Sequence, residues 1–376
     1  MSIQSRALGI LGVAWLLFTS GMGAQESQWH NPTPHNVQFV TVEPTVRLEV
    51  LDFGGSGRAV ILLAGEGGNA HVWDDFAPKL TSGYRVYAIT RRGYGESSAP
   101  ATGYSADRLG DDVLEVMAAL KLDKPVLAGH SIAGEELSSI GSRYPERVAC
   151  LIYLDAAYAY AFYDSIHAQG EDLTVDINEL RNQIDRLQSG AENPRPLIQQ
   201  LLQTTIPTME KDLKVRQDSS NHPRLPNAPA PTTADFASFA AYQAYQKRVL
   251  GWPRTEGNLR GQFEVTPDGH LGKSRLSPAL HAAMMAGEQK YTSVKVPVLA
   301  IFASPADPGP LAHNDTEALA GFEAYDAAIT AAQIDAVRSA APSAHIVLLP
   351  QANHAIFISN EADCLREMRA FLATLG

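Results

Sequence analysis

The sequence predicts an α/β protein built on a mostly parallel sheet flanked by helices. Short, continuously apolar runs recur along the chain, which is the pattern of strands covered on both faces. Helical stretches separate these runs, as crossover connections between parallel strands require. The chain has 376 residues, 45% of them hydrophobic and 19% charged, enough to bury a substantial core.

The first strands differ from the rest. "VQFVTV" (37–42) and "VRLEVLDF" (46–53), joined through Pro44, show the alternation of half-buried antiparallel strands at a sheet edge. "AVILLA" (59–64), "YRVYAI" (84–89), "PVLAGH" (125–130), "VACLIYLD" (148–155), "VPVLAIF" (296–302) and "HIVLLP" (345–350) then read as buried strands, for eight in all. Helical patterns fall at 70–82, 106–120, 132–144, 314–340 and 361–375.

Between Asp155 and Pro297 the rhythm breaks for about 140 residues, too long for a structureless loop inside a compact domain. That interval holds the aromatic run "AYAYAFY" (157–163), a helix from Val175 to Gln188 and the Pro-rich breaker "HPRLPNAPAP" (222–231). A helix follows in which Phe236, Phe239, Tyr242 and Tyr245 recur every three residues. "QFEVTPDGHLG" (262–272) then reads as a short hairpin turning at Pro267-Asp268-Gly269. An insertion leaving the C-terminal end of a central strand stands over the place where open α/β sheets bind ligands, so it is expected to roof a pocket, with its aromatic stripe packed on the core.

At the N-terminus, Arg6, the apolar run "ALGILGVAWLLF" (7–18) and the small residues of "TSGMGAQ" match an export signal cut near Gly23 or Ala24. Residues 1–24 are therefore expected to be a signal peptide and the mature protein to be periplasmic or secreted. No later stretch is long and apolar enough for a membrane helix, so no stable anchor is expected after cleavage. A net charge of −11 with no basic cluster argues against nucleic acid as a partner. Cys150 and Cys364 could pair in an oxidising compartment or stay as buried free thiols. No Cys or His spacing suggests a metal, and no motif calls for a cofactor.

The chemistry points to Ser131. Gly-x-Ser-x-Ala occurs twice, in "GHSIA" and in "GESSA" (95–99), and context separates the two. Ser131 follows the buried strand "PVLAG" and precedes the helical "AGEELSSIGSRY", whereas Ser97 follows a Gly-rich loop and runs toward Pro100. A nucleophile on a tight strand-to-helix turn needs small neighbours, here Gly129 and Ala133. Its hydroxyl needs a base, and the base an orienting carboxylate. His354 lies just beyond the last strand and Asp307 just beyond the penultimate one, in the order acid then histidine that this architecture uses. Asp155, at the end of the strand after the serine helix, is a rival acid that reads better as a cap where the insertion begins. Oxyanion donors would be the backbone amides of Ile132 and of Glu66, the latter in "LLAGEGGNAHVW" (62–73), a loop without the Gly-Lys-Ser/Thr ending of a phosphate cradle.

These residues resemble the α/β-hydrolase superfamily over nearly all of the mature chain. "RRGYGESSAP" (91–100) is similar to that family's Arg-Gly-x-Gly-x-Ser segment, "AGHSIAG" to its nucleophile elbow and the insertion to its cap domain. The resemblance implies an α/β-hydrolase fold with core residues 25–155 and 297–376 and a mainly helical cap at 156–296, inserted after the sixth strand. It further implies a triad of Ser131, Asp307 and His354, with Ile132 and Glu66 at the oxyanion hole. Ala64, Thr90 and Ala352 depart from the family's usual His, Asp and Gly. The expected activity is a serine hydrolase acting on a small-molecule carboxylic ester or lactone. Iminopeptidase, amidase and carbon-carbon bond hydrolase activities use the same triad and remain open. So do cofactor-free haloperoxidases and, less strongly, a non-catalytic binding module. Epoxide hydrolases and haloalkane dehalogenases place a carboxylate at the elbow, which Ser131 argues against. Glu135 and Glu136, in the first turns after the nucleophile, could hold a cationic substrate group or simply complement the helix dipole.

Overall fold

The computed structural model describes residues 29–163, 173–190, 193–219, 225 and 227–375. The expected signal peptide at 1–24 lies outside the described residues. Contacts divide the chain into Met1–Pro32 and Thr33–Gly376. Of the first unit only residues 29–32 are described, without helix or strand, and all that follows concerns the second.

Its strands are β1 (Asn36–Glu43), β2 (Val46–Gly54), β3 (Ala59–Leu63), β4 (Arg85–Ile89), β5 (Val126–His130), β6 (Cys150–Leu154), β7 (Phe263–Val265), β8 (Leu271–Ser274), β9 (Val298–Ala303) and β10 (His345–Leu349). Eight of them form one sheet in the order β1-β2-β4-β3-β5-β6-β9-β10. β1 pairs antiparallel with β2, and β2 antiparallel with β4; every other neighbour is parallel. The edge alternation read from 37–53 thus marks the antiparallel end.

The apolar runs are continuous because alternate residues feed two separate cores. Ile61, Leu63, Leu127, Leu151, Tyr153, Val298 and Phe302 face one side. There they meet Val113 and Met117 of α1 (Ala106–Ala119), Leu137 and Ile140 of α2 (Ala133–Arg143), and, from a later helix spanning Thr316–Ala340, Val337. Val60, Leu62, Val126, Ala128, Ile152, Leu154 and Ile301 face the other side and meet Trp73, Phe76 and Met368.

Between β6 and β9 the described residues form α3 (Leu173–Ser189), α4 (Pro194–Gln200), α5 (Ile206–Ser219), α6 (Phe239–Leu250), α7 (Glu256–Gln262), the β7–β8 hairpin and α8 (Pro278–Met285). After β9 come α9 (Thr316–Ala340), α10 (Ile356–Ser359) and α11 (Glu361–Ala373). No helix among the described residues is long and apolar enough to cross a membrane.

Two local expectations change, and one open alternative is resolved. The helix expected at 70–82 is two 3-10 turns, Ala70–Trp73 and Ala77–Leu80; Pro78, which cannot donate an amide bond, sits at the start of the second. The aromatic helix begins at Phe239, where the Ser238 hydroxyl accepts from the Ala241 amide, so Phe236 lies in a preceding turn. Cys150 and Cys364 are free and buried, members of the same core.

Candidate active site

Ser131 follows β5 directly and precedes α2. Its φ is +54°, a left-handed conformation that costs a non-glycine residue free energy and recurs at functional sites. The surroundings impose it. A Cβ on Gly129 would stand 2.9 Å from the Ala133 Cβ, and one on Gly65 would stand 3.1 Å from the Ser131 Cβ. A Cβ on Gly134 would run into the Ala156 carbonyl, so α2 lies against the start of the β6–β9 segment. The serine hydroxyl is thereby presented at the carboxyl edge of the sheet, with the Gly-rich loop after β3 against its side.

His354 lies between β10 and α10, and two contacts bring its loop to the serine strand. The His130 Nε2 donates to the His354 carbonyl at 3.0 Å, and the two rings stand 4.7 Å apart. Burial, and secondarily the neighbouring His354, hold the His130 pKa well below the usual histidine value, so His130 is neutral.

The carboxylate that meets His354 is that of Asp155, not the expected Asp307. The His354 Nδ1 donates to the Asp155 Oδ2 at 2.6 Å. Asp155 is itself held: its Oδ1 accepts from the Ala303 amide at 3.0 Å, its Oδ2 also accepts from the Tyr158 hydroxyl at 2.9 Å, and its φ is +48°. Since a carboxylate only accepts, the His354 proton is fixed on Nδ1 and the Nε2 lone pair is left to act as base. The Asp307 carboxylate serves its own loop, accepting from the Gly309 amide at 2.8 Å and lying 3.1 Å from the His313 Nε2. The Asp307 backbone supports the histidine loop instead. Its amide donates to the Ala352 carbonyl at 2.8 Å, and its carbonyl accepts from Asn353 at 3.1 Å.

The structure puts the amides of Ile132 and Glu66 on the two loops that flank Ser131. Among the described residues neither donates to a protein acceptor. The Glu66 carboxylate takes no part there and meets the His281 Nδ1 of α8 at 2.5 Å. The loop is braced from the β6–β9 segment, where the Gln262 side chain donates to the Gly67 carbonyl and Asn258 donates to the Asn69 Oδ1 at 3.1 Å.

Glu135 and Glu136 do not reach a substrate. Glu136 is buried in a bidentate pair with Arg91 at 2.7 and 2.8 Å, and Arg91 also donates to the Ala64 carbonyl. Glu135 is fully buried, its carboxyl has no hydrogen-bond partner among the described residues, and burial raises its pKa well above the ordinary glutamate value. Ser97, the second motif serine, is a buried tie: it accepts from the Glu49 amide at 2.9 Å and donates to the Thr90 carbonyl at 2.6 Å.

A cavity of about 330 Å³ opens at the Gly-rich loop, between Glu66 and Gly67 of the β3 loop, Tyr94 and, from the β6–β9 segment, Arg254, Leu276 and His281; Ser131, Asp155 and His354 are not in its lining. No group of His, Cys, Asp and Glu among the described residues could hold a metal.

A strained serine on a strand-to-helix turn, with a buried aspartate after the adjacent strand and a histidine after the edge strand β10 of a mostly parallel eight-stranded sheet, defines an enzyme class of α/β type. The chain belongs to the alpha/beta hydrolase fold family, whose model matches residues 58–251. Among curated proteins it is similar to a fluoroacetate dehalogenase from Burkholderia sp., 33% identical over 118 residues that make up 30% of this chain and 39% of the relative. The chain spans about two fifths of the length of such curated relatives, 39% and 41% in two cases. Two solved structures share the fold. E-2-(acetamidomethylene)succinate hydrolase has a TM-score of 0.55 at 17% identity, covering 90% of this chain and 100% of that one. The esterase RhEst1 from Rhodococcus sp. ECU1013 has a TM-score of 0.51 at 17% identity, covering 90% and 99%.

Proposed function

We propose that the protein is a serine hydrolase that cleaves small carboxylic esters or lactones through an acyl-enzyme, and that it acts in the periplasm or outside the cell. The observation that carries the reading is the left-handed Ser131 on its strand-to-helix turn, together with a histidine, packed on the preceding His130, whose tautomer is fixed by a buried aspartate. In this reading the Ser131 oxygen attacks the substrate carbonyl while the His354 Nε2 takes the hydroxyl proton. Negative charge then develops on the carbonyl oxygen, where the Ile132 and Glu66 amides would donate. Collapse breaks the bond to the alcohol, which leaves with the proton held by His354. Water repeats the cycle on the acyl-enzyme, giving up a proton to His354, and the acid departs as Ser131 is restored.

A dehalogenase or epoxide hydrolase reading, suggested by relatives alone, needs a carboxylate where Ser131 stands. Burial of Glu135 and Glu136 removes the feature that favoured a cationic, peptide-like substrate. The test is hydrolysis of short p-nitrophenyl esters and lactones, with fluorophosphonate labelling of the wild type and of Ser131→Ala. We expect labelling and turnover in the wild type and loss of both in a folded Ser131→Ala variant. Unchanged hydrolysis in the variant overturns the reading.

A further inference from the structure

We propose that Arg254 is an anion-binding subsite that selects substrates carrying a single carboxylate in addition to the scissile ester or lactone. The proposal rests on the hydrolase reading for its reaction and on independent geometry for its site. Arg254 lies in the short connection between α6 and α7, and its main chain is clamped on both sides. Its amide donates to the Gln246 Oε1 at 3.0 Å, and its carbonyl accepts from the Gln243 Nε2 at 2.8 Å. Thr255, the next residue, donates to the His71 carbonyl at 2.6 Å and caps α7. The root of the side chain is thus fixed before any ligand arrives, which lowers the ordering cost of binding.

The guanidinium faces the cavity. One of its terminal nitrogens would stand 3.8 Å from a Cβ on Gly67, two residues from the glycine packed on Ser131. Its charge also bears on His130, the residue before the nucleophile. Two buried arginines, Arg91 and Arg92, each have a bidentate carboxylate, Glu136 and Asp112 respectively, whereas Arg254 is half-buried. No carboxylate among the described residues pairs with Arg254, whose neighbours are the Trp252 ring at 5.8 Å and Tyr242. Partial burial holds its pKa below the usual guanidinium value, as expected for a half-buried cation without a carboxylate partner among the described residues. It stays cationic nonetheless, since arginine is not deprotonated in proteins.

The rest of the cavity sets the charge and shape of the ligand. Glu66 and His281 engage each other at 2.5 Å, and Glu288 behind them has its pKa pushed up to about 7 by burial and by Glu66. With one unmatched cation beside these acids, a monoanion fits better than a dianion such as phosphate. Leu276 and Pro278 supply an apolar wall for a short spacer. About 330 Å³ suits a small acid rather than a polymer.

The test compares mono-p-nitrophenyl glutarate with p-nitrophenyl pentanoate, of equal acyl length, in the wild type, Arg254→Met and Arg254→Lys. Calorimetric titration with glutaramate, a monoanion of the same chain length, and with inorganic phosphate accompanies the kinetics. For Arg254→Met we expect KM for the charged ester to rise about tenfold or more, with the neutral ester changed by less than about twofold and glutaramate binding lost. Arg254→Lys, which keeps the charge without the fork, should recover part of both. Arg254→Met leaving the ratio of the two esters and glutaramate binding unchanged overturns the proposal, as does phosphate binding more tightly than glutaramate. If the wild type cleaves neither ester, the hydrolase reading fails on its own. The subsite then stands if glutaramate binds in an Arg254-dependent way, and falls if it does not.

Discussion

At the scale of single residues, the pairing of His354 with Asp155 separates two aspartates that the chain offers for one role. Asp155→Asn keeps the shape but removes the acceptor that fixes the proton on Nδ1, so turnover should fall by about 10³ to 10⁴-fold, while Asp307→Asn should stay within about threefold of the wild type. Steady-state kinetics of the two variants on one ester check this, and equal losses would reassign the acid. Ser131 and His354 were legible because each stands at a strand end flagged by its own local pattern. The acid was not, because the choice depends on lateral strand order. β6 lies beside β5, whereas Asp307 follows β9 on a loop that turns its carboxylate toward Gly309 and His313. Glu288 gives a second residue-scale prediction. Its carboxyl titrates near 7 in the fold against 4.5 for an ordinary glutamate, so the native state keeps a proton that the unfolded chain has lost. Stability should therefore decline as pH rises from about 4.5 to about 7, by at most about 3 kcal/mol, and level off above. Glu288→Gln should flatten that decline in thermal melts taken across the window.

At the scale of elements, the site depends on how α2 is seated. Its first turn carries Glu136, whose bidentate bond to Arg91 ties the helix to the segment after β4, and Arg91 in turn holds the Ala64 carbonyl at the end of β3. Burial works against a charged Arg91, but the Glu136 carboxylate more than offsets it and raises its pKa. Arg91→Met would leave the Glu136 charge buried without its partner and should cost about 3 to 5 kcal/mol by denaturant unfolding. A double variant with Glu136→Gln should recover part of that loss. Sequence periodicity found the strands and the long helices because burial on both sheet faces, or on one helix face, writes a repeating pattern. It misread 70–82, where Trp73, Phe76, Ala77 and Leu80 are buried at helical spacing although the backbone is two 3-10 turns around Pro78. The side chains satisfy the core in either conformation, so the pattern cannot distinguish them.

At the scale of the whole molecule, the sheet divides the interior into two apolar layers, and both cysteines lie in the layer that holds Trp73 and Phe76. Burial pushes the Cys150 thiol up to about 12 and raises that of Cys364 as well, so neither is a ready nucleophile. Ellman's reagent should leave both unlabelled in the native protein and titrate two thiols per chain in guanidinium; none in guanidinium would mean a disulfide. The bracing of the Gly-rich loop has a different consequence, for engineering. Gln262 grips the carbonyl of Gly67 from 195 positions downstream, and Asn258 grips Asn69 beside it. Transplanting the stretch between β6 and β9 from a relative, in the hope of acquiring its substrate preference, would strip away this scaffold and leave the bend beside Ser131 unsupported. A working chimera should have to carry residues 64–69 along with the transplanted stretch.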